Sequence, residues 1–290
     1  MITRRRFLTI GATMLSAPAL ASESQEWTGR ALGSAARIVL SGVTAAAAVR
    51  IFAKVESLVR QVEAQFSLYQ DSELVRLNRN GWLSHPDASM RDICDLVDRM
   101  HEATSGLFDP TIQPLWLAIA KGEDLAKAEA LIGWSRVRHS LAEIRLDYRM
   151  QLTFNGIAQG YAADRVAALM REEGFNNVLV DMGEISGLGE RPAGGSWQAE
   201  IVLPDGTRVA SASLSNRALA TSSPSGTLIG HGSPHIINPL GGAPRWQLVS
   251  ISAPEAAVAD ALSTAFCLMD RPAMDRALQS FPHARIEALV

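Results

Sequence analysis

Asn155-Gly156-Ile157-Ala158-Gln159-Gly160-Tyr161 follows a short apolar run, Gln151 to Phe154, and precedes apolar residues at helical spacing as far as about Glu173. Read together these make a strand, a glycine-bracketed turn and a helix. Such a turn can seat a phosphate, because glycine lets the backbone approach an anion and the new helix offers unpaired N–H groups and a positive dipole end. Most strand-glycine-helix turns, however, are simply tight connections.

Working outward, the upstream half reads as mostly helical. Residues 35–40 form an expected strand, and Val43 to Gln65 an amphipathic helix with Ile51, Val55, Leu58, Val59 and Val62 on one face. Short helices are expected over Ser72 to Arg79 and Arg91 to Thr104, followed by a Pro-bearing segment, Asp109 to Trp116, and a polar helix-and-turn region to about residue 141. The downstream half is strand-rich. Ile144 to Leu146 and Gln151 to Phe154 read as a strand pair, with further strands at 177–180, 184–188, 197–203, 207–213, 217–221 and 245–252. Glu255 to Met269 reads as a helix, and a short helix precedes a last strand near Ile286. With no repeat, low-complexity tract or long linker, the expectation is one α+β unit with two lobes around a cleft.

Two further constellations carry chemistry. Asp260 and Thr264 lie four apart in Ala259-Asp260-Ala261-Leu262-Ser263-Thr264-Ala265, so a helix presents their oxygens on one face. With a backbone carbonyl and substrate phosphate oxygens they suit Mg²⁺, a hard ion with few protein ligands. Spacing alone favours the plainer reading, a buried aspartate bonding a hydroxyl within its own helix. His235 enters a turn, His235-Ile236-Ile237-Asn238-Pro239, after a Gly/Ser/Pro-rich loop from Ser222 to Pro234. It fits a proton-accepting base and a structural turn histidine equally well. No Gly-x-Ser-x-Gly elbow, Walker loop, zinc-type His/Cys cluster or His-Glu-x-x-His helix occurs, and Gly183 to Gly189, with no helix after it, reads as a β-turn.

The N-terminus is a targeting signal by its pattern. Arg4-Arg5-Arg6-Phe7-Leu8 precedes a mildly apolar stretch to Ala17 and then Ala19-Leu20-Ala21, which matches a twin-arginine export peptide cut after Ala21 and a periplasmic destination. The stretch is too short and too rich in Gly, Ser and Thr for a span of about 20 apolar residues. Residues 1–21 hold three arginines and no acid, so the remaining 24 basic and 30 acidic residues give a formal charge of −6. An acidic chain without a basic run is a poor nucleic-acid binder. Cys94 and Cys267 both sit in apolar helical patterns, which favours two buried thiols over a pair joined after export, and no cysteine after the signal could carry a lipid anchor.

In order along the chain, these residues resemble the ApbE family of FAD:protein FMN transferases. The matching segments include Leu32-Gly33-Ser34, Phe66-Ser67-x-Tyr69-x-Asp71-Ser72-Glu73-Leu74, Ser105-Gly106-Leu107-Phe108-Asp109-Pro110-Thr111 and Gly156-Ile157-Ala158-Gln159-Gly160-Tyr161-Ala162-x-Asp164. Ala220-Thr221-Ser222, His235-Ile236-Ile237-Asn238-Pro239 and Ala259-Asp260-Ala261-Leu262-x-Thr264-Ala265 complete the set.

The resemblance implies a single T-fold-like α+β domain over residues 22–290 with a flavin-binding cleft. It implies Mg²⁺ held by Asp260, Thr264 and the Gly156 carbonyl against the pyrophosphate of FAD, the substrate. Leu32, Tyr69, Leu107, Phe108, Asp109, Thr153, Gln159 and Ile236 would line the flavin and adenine portions, and His235 would serve as the base. The implied acceptor is a flavoprotein with an Asp-x-x-Ser/Thr-Gly-Ala-Thr motif. An FAD pyrophosphatase and a non-catalytic flavin-binding or delivery protein are the alternatives. Many family members carry Lys where this chain has Gln159, which leaves one cation fewer near the pyrophosphate. This version of the motif, with its export signal, looks like the branch serving nitrous-oxide respiration, whose acceptor is a membrane flavoprotein.

Overall fold

The computed structural model describes residues 13–14, 24–191 and 193–290. Most of the expected export signal, residues 1–12 and 15–21 with its cleavage point, lies outside the described residues.

A hairpin of β1 (Ser24–Ala31) and β2 (Ser34–Ser41) leads the fold. It turns through Leu32 and Gly33, at φ of 50° and 91°, the paired left-handed conformation that matches strand twist in a two-residue loop. Helix α1 (Ala45–Phe66) is capped by Thr44, whose hydroxyl accepts the Ala47 N–H, and buries Ile51, Val55, Val59, Val62 and Phe66. Each large apolar side chain so buried contributes roughly 2 kcal/mol. Next come α2 (Glu73–Asn80), β3 (Trp82–Ser84), α3 (Ala88–Ala103), α4 (Gln113–Lys121) and α5 (Leu125–Glu129), then β4 (Arg138–His139) and β5 (Glu143–Arg145). Strands β3, β5 and β4 form a small antiparallel sheet with β5 central.

After α6 (Ala158–Glu172) the chain is strand-rich: β6 (Val178–Asp181), β7 (Ile185–Leu188), β8 (Trp197–Val202), β9 (Arg208–Leu214), β10 (Arg217–Ser222) and β11 (Val249–Ala253). Helices α7 (Ala256–Phe266) and α8 (Arg271–Ser280) and strand β12 (Arg285–Leu289) finish it. The main sheet runs β12-β11-β10-β7-β6-β2-β1, every neighbouring pair antiparallel.

Both faces of this sheet are covered, which explains its continuous apolar strands. Helices α1, α6 and α7 pack on one face, over Ile38, Leu40, Val178, Val180, Val249 and Ile251. The β8–β9 hairpin closes the other, where Trp197, Ile201 and Leu214 meet Leu179, Ile185 and Leu219. The architecture is the expected α+β unit. Cys94 in α3 and Cys267 just beyond α7 are both free and fully buried, as their apolar surroundings suggested. Burial pushes the Cys94 thiol up to about 12 and the Cys267 thiol up as well.

Two expected strands need correction, and two elements were not anticipated. Strand β1 was not anticipated: it is the edge strand, and its alternation of exposed and half-buried residues, Ser24, Gln25, Glu26 and Thr28 among them, leaves almost no apolar signal. Gln151 to Phe154 is not a strand, because the Leu152 N–H and C=O bond the Asn78 side chain at 2.7 and 2.8 Å and the Thr153 N–H reaches Pro110 O at 2.9 Å. The strand expected over Arg245 to Ser252 begins only at Val249, the Arg245 N–H being taken by Cys267 O. The segment around Pro114 is helical, since proline in the first helical turn forfeits no hydrogen bond.

Candidate active site

Helices α6 and α7 meet at Gly160. A Cβ there would lie 2.3 Å from Ala256 O and 2.7 Å from Ala257 Cα, so only glycine permits this approach. It brings the Gly160 N–H to Asp260 Oδ2 at 3.1 Å. Asp164, one turn further along α6, accepts the N–H groups of Ala256 and Ala257 on its two oxygens at 2.7 and 2.9 Å, capping α7 from outside its own chain segment. The helix that carries Asp260 and Thr264 is thus fixed against the glycine turn at two points.

Asp260 and Thr264 face one cleft of about 220 Å³, which Gly156 also lines. A Cβ on Gly156 would sit 3.0 Å from Thr264 Oγ1, so the turn lies directly against that hydroxyl. Ser222 Oγ is 3.4 Å from Thr264 Oγ1 and 2.7 Å from Ser263 Oγ. Burial pushes the Asp260 carboxyl up to about 7, opposed by the Gly160 hydrogen bond and reinforced by Asp164.

A second carboxylate, Glu184, lies in the turn between β6 and β7 and was given no role from sequence. It lines the same cleft and accepts the Thr221 N–H at 3.3 Å. Burial, then Asp260, then Asp181 hold its carboxyl well above the usual range. The signal was present as an acid between two short, largely apolar strands, Val178–Asp181 and Ile185–Leu188, that are almost entirely buried. No lysine or arginine lines the cleft among the described residues. Two buried carboxylates without a basic partner form a site that favours a cation.

The turn Leu107-Phe108-Asp109 also lines the cleft. The Asp109 carboxylate is saturated by its own surroundings, accepting the Thr111 N–H and hydroxyl at 2.8 and 2.5 Å and the Trp134 N–H at 3.0 Å. Its side chain therefore builds the loop, leaving the backbone to face the cleft. Thr153, Ile236 and His235 complete the lining. His235 Nδ1 lies 2.9 Å from Pro224 O and 3.2 Å from Thr227 O. Two carbonyl partners assign the proton to Nδ1 and leave Nε2 with a free lone pair. Burial lowers the His235 pKa, favouring the neutral ring.

Of the twelve residues singled out from sequence, ten line this cleft; Leu32 and Tyr69 line a smaller adjoining pocket that shares Asn155 and Gln159 with it. The Leu32 N–H bonds Glu63 Oε1 at 3.1 Å, the Tyr69 phenol bonds the Asn155 side chain, and the Gln159 amide bonds Ser34 Oγ. A separate group, Asp95, Asp98 and His139, brings ligand atoms within 4.8 Å of one another outside the cleft. There Asp98 already accepts the Trp134 indole N–H at 2.7 Å and pairs with His139 at 2.9 Å.

A model of the ApbE family matches residues 32–290. The chain belongs to the ApbE family. Among curated ApbE-type relatives, the FAD:protein FMN transferase of Salmonella typhimurium is 27% identical, the match covering 91% of this chain and 84% of that protein. The enzyme of the same name from Escherichia coli K12 is also 27% identical, over 86% and 79%. The flavin transferase ApbE of Vibrio cholerae superposes with a TM-score of 0.78 at 22% identity, covering 89% of this chain and 91% of that one. The apo flavinyl transferase ApbE of Pseudomonas stutzeri gives the same TM-score and identity over 91% and 90%. These structures share the ApbE fold described above.

Proposed function

We propose that the chain transfers FMN from FAD to a threonine or serine hydroxyl of an acceptor flavoprotein and releases AMP. The carrying observation is a cleft whose buried carboxylates have no basic side chain beside them, set against a glycine turn at the start of a helix. A diphosphate there needs a counter-charge the lining does not supply. The donor set of Asp260, Thr264 and the Gly156 backbone, with Glu184 nearby, is all hard oxygen and fits Mg²⁺. When bound, Mg²⁺ would neutralise charge developing on the pyrophosphate.

The chain's own residues do the rest. The Leu107-Phe108-Asp109 turn, Thr153 and Ile236 orient the flavin half, while Leu32, Tyr69 and Gln159 extend the site. His235 Nε2 takes the proton from the acceptor hydroxyl as its oxygen bonds the FMN-side phosphorus. The bond from that phosphorus to the bridging oxygen breaks, and AMP carries the bridging oxygen away. In keeping with the signal pattern, we place the mature domain, residues 22–290, in the periplasm, serving an exported or membrane flavoprotein such as that of nitrous-oxide respiration. The acceptor would carry an Asp-x-x-Ser/Thr-Gly-Ala-Thr motif.

Incubation with FAD, Mg²⁺ and a recombinant acceptor domain tests the reading. In-gel flavin fluorescence on the denatured acceptor supports it; free FMN and AMP without labelled acceptor would assign an FAD pyrophosphatase, and neither product a binding or delivery protein.

A further inference from the structure

Helix α4 separates two cavities. Gln113 and Trp116 on one face line the flavin cleft, while Pro114, Leu117, Ala118 and Lys121 on the other line a second cavity of about 820 Å³. The far wall of that cavity is the small sheet, where Trp82, Arg145 and Arg138 stand side by side across three strands. Cross-strand neighbours share a face, so an aromatic ring and two guanidinium groups form one row, in which Arg145 is paired with Glu143 at 2.6 Å.

The charge of this cavity runs against that of the chain. Its three acids are each matched by a base: Glu123 with Lys121 at 3.9 Å, Asp124 with Lys127 at 3.0 Å and Asp147 with Arg136 at 3.8 Å. Arg79, Arg138 and Arg149 line it too and make no ion pair within 4.0 Å among the described residues. Two aromatic side chains stand open at its edge, Trp82 at 49% and Tyr148 at 89% exposure. The result is a positive pocket edged by aromatic side chains on an otherwise acidic protein.

The two cavities are neighbours along the chain as well. Gln151 lines the second and Thr153 the flavin cleft, so their Cα atoms are at most about 7 Å apart. Asn78 pins the residue between them through both its amide atoms.

Resting on the transfer reading, we propose that this second cavity docks an acidic, extended segment of the acceptor protein and so delivers the acceptor hydroxyl past Gln151–Thr153 into the flavin cleft. Charge complementarity selects the segment, and the aromatic side chains cover its apolar groups. A segment is favoured over a small anion because the cavity, at about 820 Å³, exceeds what one small anion fills and lies two residues along the chain from the cleft where a protein side chain must react.

The test uses the mature chain with a fluorescently labelled recombinant acceptor domain carrying an Asp-x-x-Thr-Gly-Ala-Thr segment flanked by a run of glutamates. Anisotropy measures docking without FAD; in-gel fluorescence measures transfer. Reversing Arg79→Glu with Arg149→Glu is expected to weaken acceptor binding about tenfold and flatten its salt dependence, with FAD affinity unchanged. Reversing the exposed Arg50→Glu with Arg60→Glu on α1 is expected to leave all three alone. Equal acceptor binding by the cavity variant and the wild type overturns the proposal. So does loss of binding to anionic phospholipid vesicles with acceptor binding retained. Should the wild type dock the acceptor with the expected arginine dependence but never label it, docking stands and the transfer reading falls.

Discussion

The Gly160 N–H donates to Asp260 Oδ2 across 3.1 Å, tying the first turn of α6 to the middle of α7 at the floor of the cleft. The bond exists because residue 160 has no side chain: a Cβ would fall 2.3 Å from Ala256 O, a rigid backbone atom in the first turn of α7.

Gly160→Ala is therefore expected to force the two helices apart and destabilise the fold by about 1–3 kcal/mol, with loss of metal response. The urea midpoint measures this. A midpoint equal to the wild type would mean that the helices slide past the methyl group freely.

Asp260→Ala is expected to leave a folded protein whose melting temperature no longer rises with Mg²⁺ and FAD. Turnover should fall on the order of 10²–10³-fold. Retained Mg²⁺-dependent stabilisation would remove Asp260 from the metal site.

His235 is held with its proton on Nδ1 and, by burial, with a pKa below 6.5. The neutral base thus persists into mild acid, and the acid limb of kcat/KM for transfer should fall below pH 6.5. His235→Ala should slow transfer on the order of 10²-fold and abolish that limb while FAD binding persists. An equal loss of rate and FAD affinity would assign the residue to binding alone.

Asp164 is raised from 3.8 to about 6, chiefly by burial and against the hydrogen bonds from Ala257 and Ala256. The folded state holds this proton more tightly than the unfolded chain. Its contribution is complete below about pH 4 and declines as pH rises to about 6, on the order of 3 kcal/mol in all. Asp164→Asn should remove that part of the slope. Urea midpoints between pH 4 and 7 decide it, and an unchanged slope would exclude Asp164 as a source.

What could be read from sequence follows from how local each signal is. Helix α1 announced itself by its apolar spacing, α2 by Ser72 at its start, and the junction of α6 with its turn by its bracketing glycines, although the role of Gly160 in bringing α6 against α7 is visible only in the fold. Asp260 and Thr264 were legible as a pair because one helix carries both. Glu184 was not, since its partners Thr221 and Asp260 come from distant segments and its own neighbours look like plain strand. The Gln151–Phe154 error has the same root: a strand-like composition was satisfied by Asn78, 74 residues away, in place of a neighbouring strand. Edge strand β1 escaped because its solvent face is polar and its inner face carries only Gln25, Trp27, Gly29 and Ala31, too weak an apolar alternation to stand out.

Cys94 and Cys267 have no exposed sulfur, and their raised pKa values keep thiolate scarce at neutral pH. Sulfur chemistry consequently has no purchase on the native molecule. Glutathione, peroxide and disulfide-exchange catalysts should all leave its mass unchanged, and it should reach its working shape without help from an oxidative foldase.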